Sequence, residues 1–81
     1  MSLAKFQSHK VVSAGKINEI YSDSHIGVEQ SDGSNFTTEI PANFFARGTA
    51  NPGDYYVVYD DGYASWSPAK AFEDGYKRID G

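Results

Sequence analysis

Two segments in the first half of the chain alternate apolar and polar residues with a period of two, the spacing of a strand with one covered face. In His25–Gln30, Ile26 and Val28 fall on one side, with His25, Gly27 and Glu29 on the other. In Asn35–Ile40, Phe36, Thr38 and Ile40 share a side. Ser31-Asp32-Gly33-Ser34 lies between them and predicts a hairpin turn, because Asp-Gly readily takes the positive φ that such turns need. Upstream, Lys10–Tyr21 is rich in β-branched residues (Val11, Val12, Ile17, Ile20) and predicts a longer strand. Gly15 interrupts its alternation and predicts a bulge or a close backbone approach. With Ser22-Asp23-Ser24 as a turn, this half reads as a three-stranded meander. Residues 1–9 are polar and unpatterned and predict a flexible arm, with 10–81 forming a single small β-rich domain.

Pro41 ends the meander. Pro41–Gly48 predicts a short helical turn, with Pro at its start and Gly at its stop, placing Phe44 and Phe45 over the open mouth of the sheet. After a loop at Asn51-Pro52-Gly53, Asp54–Tyr59 is the clearest strand in the chain. Asp61-Gly62 turns it into Tyr63–Trp66. A two-residue turn puts Tyr55, Val57, Tyr59, Ala64 and Trp66 on one face, with Tyr56, Val58, Asp60, Tyr63 and Ser65 on the other. A three-residue loop shifts that register by one. The first arrangement is preferred because it groups the single Trp with the more apolar set. Ser67 then reads as the N-cap of a helix with Pro68 at its first position, Ala71 and Phe72 facing inward and Gly75 as its stop. Tyr76–Ile79 is long enough for a short closing strand. Five or six short strands with one or two short helices predict a mainly β fold, either a small curved antiparallel sheet or a partly open SH3-like barrel.

Composition narrows the function. In 81 residues there is no cysteine, so neither a disulfide nor a thiolate metal site can staple the fold. Twelve aromatic residues must supply much of the core. The net charge is −4 without a cluster of lysine and arginine, which argues against nucleic acid as a partner. No apolar run approaches the length of a membrane span, and the N-terminus lacks a signal-peptide core.

Catalytic chemistry is thinly represented. Nucleophilic catalysis requires a hydroxyl or thiol beside a positioned base. His9 falls in the arm, and His25 reads as a sheet residue. No serine sits in a G-x-S-x-G elbow. Asp54, Asp60 and Asp61 are the local acid group, but they lack the alternate spacing and closing Glu of an EF-hand. No catalytic residue, metal site or cofactor is expected, and a small hydrolase is the weakest of the readings considered.

The segment Gly53–Tyr76, with its tyrosine-rich strand, D-G-Y turn, S-P-A-K-A-F-E helix start and final G-Y, resembles the C-terminal block of small tailed-phage and prophage proteins of unknown function. Lys10–Ile17 is similar to the opening strand of the same group. The resemblance implies a bacterial cytoplasm as the setting and carries no catalytic residues with it.

Tyrosine is the remaining functional signal. Tyr55, Tyr56, Tyr59, Tyr63, Trp66 and Tyr76 exceed what so small a core can absorb. Either the rings pack while the hydroxyls stay wet, or one sheet face presents Tyr56, Val58 and Tyr63 to a protein partner. The expected function is a non-enzymatic accessory protein acting through protein contacts, with a host protein or with itself as a homodimer. The alternative is a small-molecule or nucleotide-binding module with an aromatic pocket of Phe44, Phe45 and Trp66.

Overall fold

The computed structural model describes residues 3–7, 11–46 and 48–78. Its elements are β1 (Ala4–Gln7), β2 (Val11–Ile20), β3 (His25–Glu29), β4 (Asn35–Glu39), β5 (Tyr55–Val58), β6 (Ala64–Ser67), α1 (Ala69–Gly75) and β7 (Lys77–Arg78). The sheet is antiparallel and runs β4-β3-β2-β1-β7, with β5 also paired to β2 and β6 paired to β5. Among the described residues no pairing closes it into a barrel. No helix of the described residues is long and apolar enough to cross a membrane.

β2 organises the fold. Its first half carries β1 and β5, and its second half carries β3. Lys10, the expected first residue of this strand, lies outside the described residues. The predicted meander is present as β2-β3-β4, with Ile26 opposite Thr38 and Val28 opposite Phe36. Gly15 is a close approach: a Cβ there would strike the Glu29 carbonyl oxygen and lie 2.9 Å from Val28 Cγ1. The register shift sits further along, between Ile17 and Glu19.

Two cores flank the sheet. On one side Ile17, Ile26, Val28, Ile40, Phe44, Ala50 and Tyr56 are buried together, with Leu3, Phe36, Val58 and Trp66 packed around them. On the other, Val12, Ala14, Tyr55 and Val57 are covered by Phe72 of α1. Tyr55 stacks on Phe72 at 4.3 Å between centroids, and Phe72 stacks on Tyr76 at 4.6 Å.

Several expectations are corrected. Ala4–Gln7, expected within a flexible arm, forms β1 between β2 and β7. Pro41–Gly48, expected as a short helical turn, contains a run of turns over residues 42–46 rather than a helix among its described residues, with the Phe44, Ala46 and Gly48 amides donating to the Pro41, Asn43 and Phe45 carbonyls. The β5–β6 hairpin uses the three-residue loop. Val58 lies opposite Ala64 and Tyr56 opposite Trp66, so Trp66 shares a face with Tyr56 and not with Tyr55. The cause is in the turn. A two-residue loop of the favoured type needs positive φ at both central residues. Here Gly62 has φ +89°, and among the described residues no non-glycine residue has a positive φ. The β3–β4 turn follows the same rule, with Gly33 at φ +90°. In both turns the preceding Asp, Asp32 or Asp61, accepts the amide hydrogen of the residue after the glycine.

The helix start is displaced as well. Ser67 belongs to β6, Pro68 occupies the N-cap position, and no side chain of that residue caps the helix. The carboxylate of Asp54 takes this role from a distance: Oδ1 accepts the Ala69 amide at 3.0 Å, and Oδ2 accepts the Asn51 amide at 2.9 Å. Phe72 points inward as expected, whereas Ala71 is exposed. Of the predicted closing strand, Lys77–Arg78 is present and Ile79 lies outside the described residues.

Candidate functional site

The core on the β3–β4 side is not fully covered. A groove of about 420 Å³ opens onto it. Phe36 and Thr38 of β4 form one part of its lining, and Tyr56 and Val58 of β5 another. Leu3 and Lys5 of the N-terminal segment and Ser13 of β2 complete it. These residues meet because of register. Ser13 lies opposite both Lys5 and Val58, so all three point to the same side of the sheet. The Lys5 ammonium donates to Ser13 Oγ at 2.7 Å. A neighbouring cleft shares Lys5, Ser13 and Val58 and continues to Tyr59 and Asp60.

Of the expected contact face, Tyr56 and Val58 are brought together in this groove, although Tyr56 is only 9% exposed and mostly serves the core. Tyr63 is not on that face. The three-residue loop pairs it with Tyr59, on which it stacks at 5.9 Å with 54% of its surface exposed. The alternative aromatic set of Phe44, Phe45 and Trp66 belongs to one core cluster, but the three do not line one cleft. Phe44 is 5% exposed and fills the core, edge-on to Phe45 and 6.0 Å from Tyr56. Phe45 lines a separate cleft with Asp23, Ser24 and Ile40, and Trp66 packs against the core from β6.

The opposite face holds the main titratable network. Tyr55 donates its hydroxyl to Glu73 Oε2 at 2.9 Å, and Lys16 Nζ lies 4.0 Å from the same oxygen. Burial, then the hydrogen bond to Glu73 and its charge, push the Tyr55 hydroxyl up to about 12. This network ties α1 to β5 and β2. Sequence reasoning missed it because its members lie far apart in the chain. It also missed a contact between Ser24 Oγ and His25 Nδ1 at 3.0 Å. Both residues are exposed and adjacent, and Ser24 Oγ is also 3.1 Å from Ser22 Oγ, so this contact belongs to the β2–β3 turn. His9 lies outside the described residues. Among the described residues no group of three or more His, Cys, Asp or Glu side chains could hold a metal ion.

No protein-family model matches the chain, and no curated protein or solved structure matches it.

Proposed function

We propose that this protein is a non-enzymatic accessory module that acts through protein contacts, and that the groove between β4 and β5 is its contact surface. The observation that supports this reading is an apolar core left open along one side, where Leu3, Phe36, Tyr56 and Val58 are reachable from solvent. Concave surfaces with an aromatic centre and a polar rim are where partners dock most often. The resemblance of Gly53–Tyr76 to tailed-phage proteins makes a host protein in a bacterial cytoplasm the first partner to seek. A second copy of the chain is the other.

A photoreactive residue placed at Thr38 in bacterial cells tests this. The expected result is one dominant cross-linked species, absent when Val58→Asp is added and absent when the photoreactive residue sits at Asp74 on α1. A species of twice the chain mass would identify the partner as a second copy. Failure to form a discrete species at Thr38 would sink the reading. The volume of the groove, about 420 Å³, also falls within the range of small-molecule sites, which favours a ligand-binding module as the second reading. Native mass spectrometry of the protein from its host would then show a bound mass.

A further inference from the structure

The open edge of β4 narrows the partner of the groove, an inference that rests on the protein-contact reading above. In an antiparallel pair, alternate residues direct both backbone groups at the neighbouring strand, and the residues between them direct theirs away. Ile40 donates its amide hydrogen to the Ser24 carbonyl, and Gln30 donates to the Ser34 carbonyl. These two bonds bracket the β3–β4 register and fix its phase, so Phe36 and Thr38 are the residues that bond to Val28 and Ile26. Asn35, Thr37 and Glu39 therefore turn their N–H and C=O groups to the other edge, where among the described residues no strand pairs with β4. The Glu39 carbonyl receives a weak 3.4 Å contact from Thr38 Oγ1.

This edge lacks the devices that keep outer strands apart. It has no lysine, proline or bulge, and its one charge, Glu39, lies at its end. By contrast, β7 is two residues long and both are cations, and β6 runs into Pro68, which has no amide hydrogen. The order of residues in β4 is also complementary to itself. Antiparallel pairing about a two-fold axis at Thr37 would set Thr37 opposite Thr37 and Asn35 opposite Glu39. Every outward residue would then meet another outward residue, and no like charges would face each other. An axis at Glu39 would oppose two carboxylates and set Pro41 against Thr37. An axis at Asn35 would leave Glu39 beyond the end of the partner strand.

We propose that β4 pairs with β4 of a second copy of this chain, in antiparallel register about Thr37. The two-fold axis runs through the sheet, so Phe36 and Thr38 of both copies stay on one face, and each Phe36 ring lies beside the other copy's Thr38. The two grooves, each lined by Phe36, Thr38, Tyr56 and Val58, thus join across the axis. Main-chain bonds supply the attachment, and the neutral side chains of the edge supply the register.

The chain has no cysteine, so single cysteines placed in the full chain report the register. Under mild oxidation Thr37→Cys should give a disulfide-linked dimer, because directly paired residues at the axis lie within disulfide reach. Asn35→Cys or Glu39→Cys alone should stay largely unlinked, since the two copies of either residue lie roughly 13 Å apart across the axis. Mixed together, those two variants should link to each other. Sedimentation equilibrium of the unmodified chain, from about 10 μM to about 1 mM, should show a reversible dimer, as a small interface predicts. Thr37→Lys sets two like charges together at the axis and should weaken that dimer roughly fivefold or more, with the thermal melt showing that the monomer still folds. A monomer mass throughout overturns the pairing. A dimer that Thr37→Lys leaves intact, or in which Thr37→Cys links no better than Glu39→Cys, overturns it as well. A discrete Thr38 cross-link of another mass would then keep the wider reading, with a foreign protein in place of the second copy, and the absence of any such species would sink both.

Discussion

The two faces of the β1-β2-β5-β6 sheet are buried by different means. One is sealed by a helix that brings a single large ring, Phe72, into a stack between Tyr55 and Tyr76. The other is filled by aliphatic side chains from the β3–β4 hairpin and by Phe44 from the turns that follow, and it remains open along the groove. The sealed face has its polar tips tied off, with the Tyr55 hydroxyl on Glu73 and the start of α1 on Asp54. The open face keeps partly exposed rings and a lysine at its rim. In a domain this small, stability and contact surface are thus divided between opposite sides of one sheet, so a change on one side can be read without much disturbance of the other.

The sharpest way to break the contrast is to remove the seal. Phe72→Ala should cost about 3–5 kcal/mol, comparable with the whole stability of a small domain, so loss of the cooperative urea transition is the expected outcome. Phe36→Ala, at the groove, removes a ring that is only partly buried and should cost about 1–2 kcal/mol. Equal costs for the two would mean that the open face is as structural as the closed one.

A smaller effect separates the two caps suggested for α1. Asp54→Ala should lose on the order of 1–2 kcal/mol, because the Ala69 and Asn51 amides lose their acceptor. Ser67→Ala should stay within about 0.5 kcal/mol, since its hydroxyl does not cap the helix. Thermal melts of the two variants check the order.

A further effect on the sealed face is a dependence on pH. The Tyr55 hydroxyl is held at about 12 by burial and by Glu73. An unfolded tyrosine loses its proton near 10. The folded state therefore keeps a proton that the unfolded state releases. This contribution is whole below about pH 10 and disappears as pH rises through about 12. Glu73→Gln should make the alkaline loss of stability shallower, as followed by urea midpoints and by the ultraviolet absorbance of tyrosinate.

What was legible in the sequence was local. The alternation in β3 and β4, both Asp-Gly turns and the close approach at Gly15 each rest on a few neighbouring residues, and all are present. The register of β5 was not legible, because Tyr55, Tyr56 and Val57 are all buried and a strand covered on both faces shows no alternation to read. The cap on α1 comes from a carboxylate 15 residues upstream, where no capping pattern looks. The same reason hid β1: Ala4–Gln7 has no amphipathic pattern, and its strand character comes from being held between β2 and β7. The groove was half legible. Phe36 and Thr38 were placed on one face, and Tyr56 and Val58 on another. That the two faces converge depends on β2 carrying β5 on its first half and β3, which holds β4, on its second, which no local pattern encodes.

The arrangement of strands around β2 also has a consequence in time. β2, β3 and β4 are joined by short turns, and hairpins of that kind form on the order of 1–10 μs. β5 must instead return to β2 across the turns and loop that follow β4, and β1 meets β7 only when both ends of the described chain are available. Contacts of such separation are delayed by loop-closure entropy. During synthesis the aliphatic side of the molecule can thus assemble first, while Val12, Ala14, Tyr55 and Val57 await Phe72. At a typical rate of roughly 5–20 residues per second, that interval lasts on the order of a second after β5 is made. Within it, the most aromatic strand of the chain is uncovered, and the nascent protein is most vulnerable to aggregation.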